Sequence, residues 1–380
     1  MSKWVGKYVI GLTGNIGTGK SVVRRMLEHL GAYGIDADRL AHRVMAKGAP
    51  GYAPVVRNFG RWILAPDGQI DRAKLGKLVF VAPEALASLE NIVHPLVVKA
   101  LDYLIAHSTH TVVVIEAIKL IEAGLHKDCD SLWVTYAPFD LQMARLVQKR
   151  GLSAESARQR IESQLPQSEK VAAANVVIKN TGSFTDTWNQ VAGSWERWIP
   201  LEGQAAAVEA AAVERQVDEI SVMRGGPRHA AQIAGLINRV SAPEKPLNQD
   251  DIMAAFGERA FLLLHTGDQL SGVMGWQVEN LVARTTGVVL EPRLAPGKAL
   301  PPLIEEMERA SRDLQCEASL VFVSGDLAGW VQLWHDLGYE PADPHKLVVQ
   351  AWKEAASESM PGGATMFFKR LRQDRVLRPI

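Results

Sequence analysis

Apolar and polar positions along this chain fall into two textures. Tyr8-Val-Ile-Gly-Leu12 is a short run rich in β-formers; the glycine-punctuated stretch Thr13 to Gly19 follows it, then helical spacing from Ser21 to Leu30. The pattern predicts strand, loop and helix in that order. Gly31 to Ile35 returns to a strand ending in Asp36-Ala-Asp38, and Leu40, Val44 and Met45 give helical spacing over Arg39 to Lys47. Thr111 to Ile115 and Ser131 to Tyr136 are continuous apolar runs of the kind buried in parallel sheets. Asp140 to Leu165 reads as one helical, basic stretch and Asn175 to Lys179 as a last strand, so the unit closes near Pro200. Alternation of this kind predicts an α/β fold, a parallel sheet sandwiched by helices.

Glu202 to Val217 is rich in alanine and glutamate, without aromatic or proline, and reads as a helical or semi-flexible linker. Beyond it, strands are expected at Ile220 to Met223, Phe261 to Leu264, Gly272 to Val278, Val282 to Leu290, Leu320 to Val323 and Met366 to Lys369. Helices are expected at His229 to Val240, Asp250 to Phe256, Leu300 to Leu314 and Leu327 to Leu337. This order predicts an α+β unit with a mixed, mostly antiparallel sheet. The chain then divides into residues 1–200, a linker at 201–217 and a second unit at 218–380, as its length of 380 residues favours.

Composition narrows the partners. Forty-two basic residues balance 42 acidic ones, which leaves no electrostatic footprint for nucleic acid or an anionic membrane, so any phosphate must be bound locally. Cys129 and Cys316 match neither a metal-ligand spacing nor a disulfide framework, as suits a reducing compartment. Met1 to Lys7 lacks the apolar core of a signal peptide, and no later run approaches the ~20 apolar residues that span a bilayer. A cytoplasmic protein acting on small molecules is expected, and the oligomeric state is not legible.

The chemistry lies in Gly14-Asn15-Ile16-Gly17-Thr18-Gly19-Lys20-Ser21, which fits G-x-x-x-x-G-K-[ST] with a strand before and a helix after. Such glycines let successive amides point at phosphate oxygens, and the helix N-terminus adds partial positive charge. Lys20 is expected on the β and γ phosphates of ATP, and Ser21 on a Mg2+ ion bridging them. Asp36 and Asp38 sit at a strand's carboxyl end, where phosphoryl transfer needs a carboxylate to hold the acceptor hydroxyl and take its proton. An aspartate there also caps a helix. A non-catalytic nucleotide switch would need no such acid.

Gly11 to Ser21, together with Ile35-Asp36-Ala-Asp38-Arg39-Leu40-Ala41, His94-Pro95 and Asn180-Thr-Gly182, resembles the dephospho-coenzyme A kinase family over nearly all of the first 200 residues. The resemblance implies transfer of the ATP γ-phosphoryl group to the ribose 3′-hydroxyl of dephospho-coenzyme A, the last step of coenzyme A biosynthesis. It further implies Asp38 as base, with Asp36 as an orienting group or magnesium-water ligand, the two roles being exchangeable. Arg145, Arg150 and Arg160 fall on the stretch that resembles the family's lid, with Arg150, Asn180 and Gly182 toward ATP. His94, Glu116 and Arg160 fall toward the acceptor. His94-Pro95 also reads as a helix stop, and a basic stretch also reads as a solvated face. Lys119, shortly after Glu116, puts a charge where the family usually has an apolar residue. Another nucleoside or nucleotide kinase of the same superfamily is the rival reading.

The second unit, with Val222-Met-Arg224 entering a helix and Trp334-His-Asp-Leu-Gly-Tyr339 late in the chain, resembles a divergent GCN5-related N-acetyltransferase domain. That resemblance implies CoA or acetyl-CoA held on a loop opening a helix. Here the loop reads Glu291 to Ala299, where Gly297 and Lys298 are the possible remnant, Ala295 replaces a glycine and Pro296 removes an N–H donor. Three readings stay open: an active acetyltransferase, a coenzyme A-binding sensor, or a structural partner of the kinase. Tyr339 reads either as a general acid or, the favoured option, as a packed aromatic after a turn. Replacing Lys20 by alanine should abolish phosphoryl transfer, followed as ADP release in a coupled assay; retained turnover would remove Lys20 from the site.

Overall fold

The computed structural model describes residues 3–200, 215–217, 220–279 and 281–372, with backbone alone at 80, 81, 149, 150 and 215–217. The first unit runs β1 (Tyr8–Thr13), α1 (Lys20–His29), β2 (Tyr33–Asp36), α2 (Ala37–Val44), α3 (Tyr52–Phe59), α4 (Arg72–Val81), α5 (Pro83–Ala106) and β3 (Val112–Glu116). It continues through β4 (Ser131–Tyr136), α6 (Phe139–Arg150), α7 (Ala154–Glu162), α8 (Gln167–Ala173), β5 (Val176–Lys179) and α9 (Phe184–Trp198). All five strands are parallel in the order β2-β3-β1-β4-β5, with Tyr8 opposite Val112, Tyr33 opposite Val113 and Trp133 opposite Val176. The central runs lack polar alternation because both faces are covered: Val9, Ile10, Leu12 and Val112 to Ile115 have no exposed surface. Parallel strands gather their carboxyl ends at one edge, which brings the glycine loop after β1 beside Asp36 at the end of β2 and Glu116 at the end of β3.

Two expectations about helices change. The stretch from Asp140 to Leu165 is two helices, because Gly151 adopts φ 64° and caps α6 in the left-handed region. His94-Pro95 is no stop: α5 continues through Pro95 to Ala106, held by Val93, Val97, Leu101 and Leu104 buried on its inner face. Lys119 lies on the surface, paired with Glu90 at 2.8 Å, so its charge is not carried into the interior.

The second unit comprises β6 (Arg215–Val217), β7 (Ile220–Gly225), α10 (Ala230–Ser241), α11 (Gln249–Phe256), β8 (Ala260–Thr266), β9 (Gln269–Glu279), β10 (Val282–Leu290) and α12 (Pro296–Asp313). Then come β11 (Ala318–Val323), α13 (Asp326–Gly329), α14 (Val331–Asp336), β12 (Glu340–Pro341), α15 (Gln350–Ser359) and β13 (Thr365–Arg370). The sheet order is β12-β13-β11-β10-β9-β8-β7-β6, antiparallel except where Val282 to Arg284 run parallel to Ala318 to Leu320. The backbone at 215–217 pairs with β7, so sheet structure begins inside the segment read as linker; residues 201–214 lie outside the described residues. The stretch from Leu327 to Leu337, read as one helix, is two short ones. Helix α15 was not foreseen; Trp352, Ala355 and Ala356 seat it on Leu320, Phe322 and Met366.

The two units share an interface. Leu281 and Leu314 pack against the first core, Phe184 and Trp188 against the second. A Cβ at Gly257 would collide with the Phe184 ring, so only glycine permits that approach. His29 Nε2 donates to Phe256 O at 2.8 Å, and α2 makes two ion pairs with the second unit, Arg39 to Glu279 at 2.5 Å and Arg43 to Glu317 at 3.0 Å. No helix among the described residues is long and apolar enough to cross a membrane. Glu317 is 1% exposed, so Glu317→Ala removes the buried carboxylate that faces Arg43 and should cost about 3 kcal/mol of stability, read by chemical denaturation; an unchanged midpoint would show that the pair does not hold the interface.

Candidate active site

Between β1 and α1 the loop curls through three glycines in backbone conformations that side chains rarely adopt: Gly14 at φ 147°, Gly17 at φ 80° and Gly19 at φ 93°. Space enforces the same choice. A Cβ on Gly14 would strike Thr135 Oγ1, and one on Gly19 would strike Asn180 Nδ2. The loop is braced from outside: Thr18 Oγ1 lies 2.7 Å from Thr135 Oγ1 and donates to Asn15 O, while Asn180 Nδ2 donates to Thr18 O at 3.0 Å. Arg145 donates to Gly17 O and Asn180 O, both at 2.9 Å. Ile16 N–H donates to Gln164 Oε1 at 2.9 Å, whereas the amides of Gly14, Gly17 and Gly19 donate to no described residue. A concave set of amides at a helix N-terminus, with buried Lys20 behind it, fits polyphosphate oxygens.

Glu116 is the centre of a buried cluster. It accepts from Ser21 Oγ at 2.8 Å and from Arg24 Nε at 2.7 Å, and Arg24 also pairs with Glu28. Burial alone would raise the Glu116 pKa; the Arg24 and Lys20 charges and the Ser21 hydroxyl outweigh it and hold this carboxylate below its usual range. Asp36 has the opposite fate. Its burial, then the Glu116 charge, push it up to about 6, against the Arg39 N–H and Arg24. Asp38 is likewise raised by burial, opposed by the Ile118 N–H that donates to its Oδ2 at 3.0 Å and by the Lys20 charge.

Asp36 also N-caps α2, accepting from Arg39 N at 2.9 Å, so one of the two acids has the structural role open to both. Asp38 lies two residues on, in the first turn of α2, facing the loop between β3 and the Lys119 surface pair. Arg145 is drawn to one loop carbonyl, Gly17 O, and to Asn180 O after β5. Arg160 is exposed on α7, and the Arg150 side chain lies outside the described residues. His94 is half-buried in the middle of α5, and Gly182 is exposed before the Ser183 cap of α9.

Sequence reasoning missed three contributors. Arg24 could have been found, since it follows Lys20 by four residues on the same helix face. Thr135 and the fully buried Lys170, whose Nζ donates to Ile118 O at 2.7 Å and pairs with Glu122 at 3.3 Å, gave no local signal. In the second unit, Pro296 opens α12 and the amides of Lys298 and Ala299 turn back onto Ala295 O, so the expected phosphate loop offers few donors. Tyr339 is fully buried and donates to Ser319 Oγ at 2.9 Å, which makes it the packed aromatic.

A parallel sheet with an amide-lined glycine loop at its carboxyl edge, a buried lysine and acids facing that loop defines a P-loop phosphotransferase of the small-molecule kinase kind. Residues 8–186 match the dephospho-CoA kinase family. The chain is similar to the dephospho-CoA kinase of Carboxydothermus hydrogenoformans, 43% identical over 193 residues that cover 50% of this chain and 94% of that relative. It is similar also to that of Aquifex aeolicus, 44% identical over 188 residues, 49% of this chain and 95% of the relative. The chain belongs to the dephospho-CoA kinase family. Among solved structures, an acetyltransferase of the GNAT family from Streptococcus pneumoniae is similar over 40% of this chain and 99% of its own, at 12% identity and a TM-score of 0.31.

The collision at Gly19 yields a sharp expectation. Gly19→Ala adds a left-handed penalty of about 1–2 kcal/mol to the clash with Asn180, so ATP affinity measured by calorimetry should fall about tenfold or more; unchanged affinity would mean that the loop's curl is not what binds nucleotide.

Proposed function

We propose that this chain transfers the γ-phosphoryl group of ATP to the ribose 3′-hydroxyl of dephospho-coenzyme A, giving coenzyme A and ADP. The observation that carries the reading is the Asp38 carboxylate, anchored by the Ile118 N–H and under the influence of the Lys20 charge at the mouth of the glycine loop. The loop amides and Lys20 hold the β and γ phosphates, fixing the direction of attack. Asp38 accepts the proton of the acceptor hydroxyl as its oxygen bonds the γ-phosphorus and the bond to the β-γ bridging oxygen breaks. Ser21 Oγ and the Glu116 carboxylate are hard oxygen donors suited to Mg2+, which when bound neutralises charge on the phosphates. Asp36 holds α2, and with it Asp38, by capping the helix. Arg145 braces the loop by tying Gly17 O to Asn180 O.

The second unit serves the kinase as a structural partner. What supports this is the pair of ion bridges on α2, the helix that carries Asp38, together with the inward-turned amides of the Glu291 to Ala299 loop.

Ionisation sets the pH range. A carboxylate whose pKa is raised by burial holds its proton to higher pH, so the base form of Asp38 is present above its raised pKa and lost as pH falls. Purified protein should release ADP with dephospho-coenzyme A but not with adenosine or nucleoside monophosphates; turnover with a nucleoside alone would overturn the substrate. Asp38→Asn should lower kcat by roughly 10²- to 10⁴-fold with ATP affinity nearly unchanged, and should flatten the acid limb of the pH profile. Wild-type turnover in that variant would remove Asp38 as base.

A further inference from the structure

Between the two units lies a cleft of ≈ 790 Å³, in the size range of sites for nucleotide-sized ligands. None of residues 14–21 lines it; it runs behind α1 and along β2, and Arg24, Glu28, Asp36 and Arg39 border both it and the kinase site. Part of its wall is flat and apolar, formed by Trp188 and Trp195 of α9 on one side and by Trp276 and Phe261 of the second sheet on the other.

Its polar groups are unbalanced. Arg25 reaches it from α1, Arg224 and Arg228 from the end of β7, and Arg259 from the approach to β8. Arg25 makes no hydrogen bond or ion pair with any described residue, although burial and the adjacent Arg24 guanidinium lower its pKa. The Nε atoms of Arg224 and Arg259 are buried without a hydrogen-bond partner among the described residues, and the Glu306 carboxylate stands 3.9 Å from the first. Trp276, 4% exposed, likewise leaves its indole N–H unmatched. Of the four carboxylates at the cleft, Glu28 is paired with Arg24, Asp36 with Arg39, and Glu279 with Arg39 and Arg284; Glu196 is the fourth. Arg259 keeps a 4.0 Å contact to Glu258 and donates to Thr286 O at 3.4 Å, so what remains over is the Arg25 cation and the N–H donors of Arg224, Arg259 and Trp276, converging from both units.

We propose that this cleft is a second ligand site, taking a phosphorylated ring compound whose phosphates meet Arg25, Arg224 and Arg259 and whose flat ring lies against the tryptophans. Guanidinium forks suit phosphate oxygens, and stacked aromatic walls suit a nucleobase or similar ring. The site exists only in the assembled chain, since each unit supplies one wall. The groups proposed to hold the ligand, Arg25, Arg224, Arg259 and the tryptophans, lie outside the phosphoryl-transfer machinery.

The test titrates the full chain carrying Lys20→Ala, which weakens the glycine-loop site, with adenosine 3′,5′-bisphosphate, coenzyme A and inorganic pyrophosphate by calorimetry. The same titrations follow in a protein that also carries Arg224→Gln and Arg259→Gln. The expected result is saturable binding of at least one ring-bearing probe that weakens tenfold or more in the double variant. If adenosine 3′,5′-bisphosphate and coenzyme A bind alike, the recognised part is the phosphorylated nucleoside; if only coenzyme A responds, the remainder of that molecule is read too. Equal affinities with and without the two arginines, binding of pyrophosphate alone, or no binding would each overturn the proposal. With Lys20 restored, Arg224→Gln/Arg259→Gln should keep its kcat for kinase turnover within a factor of two, which separates a lost site from a misfolded chain.

Discussion

The first unit is organised around one buried carboxylate. Glu116 ends strand β3, between β2 and the central β1, is 4% exposed, and takes hydrogen bonds from Ser21 and Arg24 on the first turns of α1. Removing these charges from water is costly, and the attraction offsets that cost only because the geometry is close and the remaining oxygens and protons are satisfied. The same bonds fix the rotation of α1 about its axis, and with it the direction in which the glycine loop opens. They also set the neighbouring acid: the Glu116 charge is the second cause, after burial, of the raised Asp36 pKa.

The glycine loop is shaped from outside as much as by its own composition. Thr135 from β4, Asn180 from after β5 and Arg145 from α6 all fasten its outer face, so three elements far apart in sequence hold one turn. This leaves the amides of Gly14, Gly17 and Gly19 without a partner among the described residues. Lys170, fully buried and bonded to Ile118 O, does the same for the segment whose Ile118 N–H anchors Asp38.

The second unit meets the kinase where it is most sensitive to position. Helix α2 carries Asp38, is capped by Asp36, and turns Arg39 and Arg43 toward Glu279 and Glu317 of the second sheet. A chain of paired charges thus runs from the kinase's acids through Arg39 and Glu279 to the buried Arg284. The aromatic contact of Phe184 at Gly257 supplies apolar area beside them.

The order of elements, the glycine loop and the acids at the strand ends are written in local pattern, because strand and helix periods and turn chemistry depend on neighbours in sequence. Both sheets could be read for that reason, and so could the position of Lys20, Ser21 and Asp38 at the carboxyl edge of the first one. Which aspartate caps α2, where Arg145 points and why Pro95 does not end α5 depend on packing partners tens of residues away. Arg24 lay within reach of sequence reasoning; Thr135 and Lys170 did not, since hydrogen bonds across separated elements leave no periodic trace. The meeting of the two units was decided by tertiary structure alone: 42 acids and 42 bases sum to zero along the chain, and only folding determines which of them face one another and which arginines are left facing a cleft.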